Sequence, residues 1–222
     1  MYKVLIQKKD KGAPLGLSNC VLNDEFNPSI FNEDYGYKPW YNYKEQDNNN
    51  LKEEMFLICK LKYVDYEIRN LTKHYYSISN DLVMLLEKYN IRFSEKAKLN
   101  IVNIRGEIIT NRDYRIVRFG KEIAKNPLEI MYEESFYIKN RRVKLKEIKI
   151  RPQVAYPIFK IKDIDEKISC FFFRDTLVKQ IIDYTPFVGI DFIGINAYPW
   201  SKKTIAKYLE DLSETQPLLL IH

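Results

Sequence analysis

Apolar residues recur along this chain at two different spacings, and the change from one to the other marks most of its elements. Leu82, Leu85, Leu86 and Tyr89 fall at i, i+3, i+4 and i+7, which predicts a helix over Asp81 to Tyr89 with Ser79 or Asn80 placed to cap it. Leu177, Val178, Ile181 and Ile182 predict a second helix, Asp175 to Tyr184, with Pro186 marking its end. A third, Ser201 to Leu212, carries Ile205, Tyr208, Leu209 and Leu212 on one face. Strand-like stretches fill the space between. They are Tyr2 to Gln7, Glu54 to Ile68 with a break of phase near Leu61, Leu99 to Ile104, Asp113 to Phe119, Ala155 to Ile161, Ile168 to Phe173 and Val188 to Ile195. Phe136 to Ile150 reads as strand, kink, strand, because Val143 and Leu145 share one parity and Ile148 and Ile150 the other.

Three short helices among many strands predict an α+β fold, mainly antiparallel sheet. The expected organisation is one domain over residues 1–222 with room for two lobes, 1–75 and 76–222. The first lobe contains a long aromatic-rich loop, residues 23–50, in which Lys44 to Asn50 is an unbroken polar run. At 222 residues and 45% apolar, the chain has the side chains to bury a core, and a chain of this size hides roughly 70% of its unfolded surface. Disordered and fibrous classes are excluded on that composition.

Charge and cysteines narrow the chemistry. Cys20, Cys59 and Cys170 are odd in number with no CxxC pair, so neither a disulfide framework nor a cysteine zinc site is expected. A reducing, cytoplasmic setting fits, as does the lack of any apolar run long enough for a signal peptide or a membrane span. His74 and His222 are the only histidines. No GxSxG, HExxH, GxGxxG or Walker loop occurs, and the carboxylate pairs Glu53–Glu54, Glu133–Glu134 and Asp163–Asp165 suit solvated turns and strand ends. The expectation is a protein that is not an enzyme, with no catalytic residues, no metal and no cofactor.

Two features point to binding instead. Lys139 to Arg151 holds seven basic residues against one acidic, a net of +6 that equals the charge of the whole chain. Alternation with Val143 and Leu145 places Arg142, Lys144 and Lys146 on one strand face, with Arg141 beside them. Such a stretch suits a solvated edge strand guarded against mispairing, and equally a surface that steers an anionic partner, whether nucleic acid or an acidic protein. The second feature is the cluster Tyr35, Tyr37, Trp40, Tyr41 and Tyr43. These rings can fold back as a lid on the core or act as contact anchors, since Tyr and Trp dominate binding energy at many interfaces.

From about Ser77 the order of residues becomes familiar. The runs "YSISNDLVMLLEKYNIRF", "LNIVNIRGEIITNRDYRIVRF" and "PIFKIKDIDEKISCFFFRDTLVKQIIDYTPFVGIDF" resemble the immunity proteins that bacteria encode beside polymorphic toxins, in type VI secretion and related systems. The positions that carry the likeness are Ser79 with Leu82 and Leu85, Tyr114 and Ile116, Ile158 and Phe159, Leu177 with Ile181, and Gly189 to Phe192. The helix after Phe173 departs from the pattern by opening on Arg174 and Asp175 where a Ser cap is usual, and the first 70 residues carry no likeness. The resemblance implies a cytoplasmic inhibitor without cofactor that binds a cognate protein toxin, encoded by the adjacent gene, and occludes its active site or substrate entrance. Membrane is not an expected partner and nucleic acid is disfavoured, although a nucleic-acid-binding module using residues 139–151 is the alternative. The expected partner-binding residues are Arg141, Arg142, Lys144 and Lys146 with Trp40, Tyr41 and Tyr43.

Overall fold

The structure is a computed structural model. It describes residues 1–31, 51–72, 74–120, 123–125, 128–129, 149–150, 154–161, 171–184 and 187–198. The chain divides into two compact units. A central unit comprises Asp10–Ile123 and Pro186–Ile190, and a terminal unit comprises Met1–Lys9, Ala124–Thr185 and Asp191–His222.

The central unit is built on six strands, β2 (Cys20–Asn23), β3 (Glu54–Cys59), β4 (Ile68–Asn70), β5 (Tyr75–Ser79), β6 (Phe93–Asn103) and β7 (Tyr114–Phe119), in the order β2-β3-β6-β7-β5-β4. All neighbours are antiparallel except β3 and β6. Residues of one parity, Met55, Leu57, Cys59, Ala97, Leu99, Ile101, Tyr114 and Ile116, face a single apolar core. On β5 and β7 packs α1 (Asn80–Lys88), burying Leu82, Val83 and Leu86. Ser79 Oγ accepts the Leu82 amide at 3.3 Å and caps its start. Its end is a left-handed residue, Asn90 at φ 59°, with Asn90 N donating to Glu87 O and Ile91 N to Leu86 O. That pairing satisfies two carbonyls the last turn would otherwise leave open.

In the terminal unit the order is β13-β1-β12-β11-β8, from β13 (Ile190–Gly194), β1 (Tyr2–Gln7), β12 (Phe171–Arg174), β11 (Ile158–Ile161) and β8 (Ala124–Lys125). Strands β9 (Leu128–Glu129) and β10 (Lys149–Ile150) form a separate antiparallel pair. Because β12 runs between β1 and β11, Phe171, Phe172 and Phe173 are all buried, the continuous apolar run of a strand covered on both faces. Phe172 stacks on Phe159 with ring centroids 5.1 Å apart. Helix α2 (Asp175–Tyr184) buries Leu177, Val178 and Ile181. Ile182, expected to face inward with them, is 54% exposed. Three inward positions already fill the stripe that packs on β12 and β1, and Ile182 lies at its margin.

The fold is α+β and dominated by sheet. Two α-helices occur among the described residues, fewer than the three expected, and the third expectation, residues 201–212, lies outside them. Both large sheets draw strands from either side of residue 75, since β1 pairs with β12 and β3 with β6. The lobes 1–75 and 76–222 therefore differ from the units seen. No helix among the described residues is long and apolar enough to cross a membrane.

Candidate functional site

Charged side chains inside the central unit organise its most structured surface. Glu54 to Ile68 was expected as one long strand or hairpin arm with Val64, Tyr66 and Ile68 on one parity, but β3 ends at Cys59 and β4 begins only at Ile68. Here Val64, Tyr66, Glu67, Ile68 and Arg69 are all buried, because neighbouring segments cover both faces of the stretch. Asp65 N donates to Gly12 O at 2.8 Å, Glu67 N to Val188 O at 3.0 Å, and Ser79 N to Glu67 O at 2.9 Å.

Glu67 is 2% exposed and accepts from Ser79 Oγ and from Arg112 Nη1. Arg112 also places Nε 2.8 Å from Asp65 Oδ1, so one guanidinium bridges two carboxylates. Burial alone would lower its pKa, but Glu67 and Asp65 outweigh that and raise it. Ser79 thus caps α1 and satisfies Glu67 at once. Ser79→Ala is expected to cost about 1–3 kcal/mol, more than an ordinary cap, because a buried carboxylate also loses a donor; urea titration reads the change.

Arg69, 1% exposed, is held by carbonyls: Nε donates to Pro14 O at 2.6 Å, Nη1 to Ile68 O at 2.8 Å and Gly189 O at 2.9 Å, and Nη2 to Ala13 O at 3.2 Å. Its guanidinium lies 5.3 Å from the Tyr66 ring centroid. Burial lowers it to about 10, so it remains a cation at neutral pH. Tyr66 and Tyr114 pack with centroids 5.0 Å apart, and Tyr114 Oη both accepts the Tyr66 amide and donates to the Tyr66 carbonyl.

Burial raises the pKa of both phenols. Their folded pKa lies above the unfolded value of about 10, so the stability they contribute is complete below that pH and is lost as pH climbs toward the folded values. Arg69, depressed on folding, acts the other way between about 10 and its unfolded value, as one group against two. The melting temperature is therefore expected to fall above about pH 10, followed by circular dichroism. Tyr66→Phe with Tyr114→Phe should flatten that decline.

Above this network opens a recess of about 550 Å³ lined by Asp10, Lys11, Tyr63, Asp65, Asn111 and Val188. Its rim is a tight turn in which Ala13 N donates to Asp10 O at 2.9 Å, with Gly12 at φ 77°. A Cβ on Gly12 would sit 2.8 Å from the Tyr63 ring, so turn and ring are fitted to each other. Tyr63 Oη donates to Asp65 Oδ2 at 3.1 Å. Asp65 Oδ2 thus accepts from Tyr63, while the buried Oδ1 has the Arg112 ion pair but no hydrogen-bond partner, and the recess offers hydrogen-bonding groups rather than a nucleophile with a base beside it. Among the described residues, no three His, Cys, Asp or Glu side chains gather as a metal site.

The residues expected to contact a partner, Arg141, Arg142, Lys144, Lys146, Trp40, Tyr41 and Tyr43, lie outside the described residues. Of the basic stretch only Lys149 and Ile150 are described, in β10, where Lys149 is in register with Glu129. Pattern reading missed the buried Glu67 and Arg69, the half-buried Arg112 that pairs with Glu67, and the recess over them. It also missed that Cys20 and Cys59 face each other across β2 and β3.

A family model described as Immunity protein 43 matches residues 5–204. The chain belongs to this family of immunity proteins. The match reaches back through the first 70 residues, where no likeness was readable, and takes in both units. No curated protein matches the chain. An immunity protein acts against a toxin, so the partner of this chain is a toxin.

Proposed function

We propose that this immunity protein neutralises a cognate bacterial toxin by stoichiometric binding in the cytoplasm, covering the toxin's active site or its substrate entrance. The observation that carries the reading is the family match over residues 5–204. The ion pairs of Arg112 with Asp65 and Glu67 support it, since they hold the described surface of the central unit in shape for a partner to bind. On this reading Arg141, Arg142, Lys144 and Lys146 guide an acidic patch of the toxin into place, and Trp40, Tyr41 and Tyr43 supply the apolar anchors. The chain needs no cofactor and performs no turnover, and its toxin is encoded by the adjacent gene.

Titrating that toxin with the purified protein tests the proposal. Toxin activity should fall linearly and vanish at one equivalent, with a 1:1 complex on size exclusion. Inhibition at far below one equivalent would mean turnover and overturn it, as would the absence of a complex at micromolar concentrations. Capture of arbitrary oligonucleotides with affinity falling steeply with salt would favour nucleic-acid binding through residues 139–151 instead.

A further inference from the structure

Two of the three cysteines, 39 positions apart in sequence, are direct partners in the antiparallel register of β2 and β3, Cys20 opposite Cys59. Their rung can be identified. Lys60 N donates to Asn19 O at 2.8 Å, so the next pair along, Asn19 and Lys60, is a hydrogen-bonded one. Antiparallel ladders alternate, which makes Cys20 and Cys59 a non-hydrogen-bonded pair. The Cys20 amide agrees, since it turns out of the ladder to Leu17 O at 2.9 Å. At such rungs the Cα atoms are about 4.5 Å apart and the side chains lie closest, inside the window of about 4.4–6.8 Å that a disulfide spans.

The two sulfurs also differ in the way an exchange reaction needs. Both are free thiols, Cys59 fully buried and Cys20 partly exposed on the outermost strand of the sheet. Cys59 Sγ donates weakly to Leu57 O at 3.7 Å. The adjoining Cys20 thiol and burial push the Cys59 thiol far up, so it is not the first to react.

We propose that Cys20 and Cys59 are a thiol–disulfide site that closes across β2 and β3 when the protein meets an oxidant of the small-molecule disulfide class. Cys20, as its thiolate, attacks one sulfur of the oxidant RSSR, forming a mixed disulfide and releasing one thiolate, which takes up the proton that Cys20 lost. The Cys59 sulfur then attacks Cys20 Sγ, the bond from Cys20 to the second RS breaks, and the proton of Cys59 passes to that departing RS⁻. Two protein thiols are oxidised, one RSSR is reduced to two RSH, and the cross-strand bond forms without backbone movement. The ring it closes contains the aromatic-rich segment 23–50. An effect on toxin affinity would rest on the toxin-binding reading; the crosslink does not.

The test uses the full chain with Cys170→Ser, so that only this pair remains, and oxidised glutathione as the oxidant. The expected product is a protein two hydrogens lighter, with free thiols falling from two to none, a peptide joining Cys20 to Cys59, and a melting temperature that rises and returns on reduction. In Cys20→Ser, which alters a partly exposed side chain, Cys59 should stay a free thiol through the same treatment. A glutathione adduct that persists on Cys20, or two thiols unchanged under conditions that oxidise the unfolded chain, overturns the proposal. Modification of Cys59 in the Cys20→Ser protein does so too.

Discussion

Arg69→Met is expected to lower the stability of the central unit by about 3–5 kcal/mol, the range for removing one partner from a buried charged network. Methionine fills much of the same volume, so the loss comes from the acceptors. Pro14 O and Gly189 O lose the donors that now sit 2.6 and 2.9 Å away, and no water reaches a side chain that is 1% exposed. Arg69→Lys should rescue little, because a single ammonium cannot reproduce a fork that serves four carbonyls in different directions. Denaturant titration should show the midpoint falling with the slope unchanged, which separates lost stability from a change in compactness. A change below about 1 kcal/mol would mean that these bonds are worth no more than exposed ones.

Gly189 gives the same prediction an internal check. It sits at φ 74°, where an added Cβ would lie 2.6 Å from Arg69 Nη2 and 2.6 Å from Ala13 Cβ. Gly189→Ala should therefore cost about 1–3 kcal/mol from the backbone conformation alone, and more from displacing the guanidinium. In the Arg69→Met background that second part is already gone. The two substitutions should fall short of additivity, as expected of residues that share a contact.

This cluster also shows where pattern reading stops. Helix α1 was legible because Leu82, Leu85 and Leu86 repeat at helical spacing behind a serine, and α2 because its stripe ends just before a proline. Strands β1 and β7 were legible as short runs rich in β-branched and aromatic residues, although Val4 to Ile6, and Ile116 with Val117, are buried in succession rather than in alternation. Strand β6 was seen only from Leu99, although it begins at Phe93. Its first half carries Glu95, Lys96 and Lys98, which reads as loop until α1 and β3 supply partners, Lys96 to Glu87 at 2.6 Å and Lys98 to Glu54 at 2.7 Å. Glu67 and Arg69 were hidden more deeply. In an alternating stretch a charged residue is assigned to water, and nothing local announces that Ala13, Pro14, Val188 and Gly189 will cover it. The cysteine pair was hidden for the same reason, since a register across 39 positions is set by the sheet and not by the spacing of the two residues.

Reversing four charges, Arg141→Glu, Arg142→Glu, Lys144→Glu and Lys146→Glu, is expected to have the largest effect on toxin binding. It takes residues 139–151 from a net of +6 to −2. Steering by a one-signed surface accelerates encounter by about 10–1,000-fold at low salt, so the association rate constant should fall by that order while dissociation changes less. Raising the salt should slow association of the natural protein and leave the variant almost unmoved, since charges more than about 10 Å apart are screened near 0.1 M. The aromatic residues should behave in the opposite way. Trp40→Ala, and Tyr41→Ala with Tyr43→Ala, should raise the dissociation rate and weaken the complex by roughly 30-fold or more per anchor, the effect of losing about 2 kcal/mol each. Stopped-flow measurements with the toxin at two ionic strengths separate the two signatures. Circular dichroism of each variant, compared with the natural protein, checks that a slower association or faster dissociation is read on a folded chain. An unchanged association rate in the fourfold variant would remove the basic stretch from the binding surface and leave the recess beside Tyr63 and Asp65 as the face to test next.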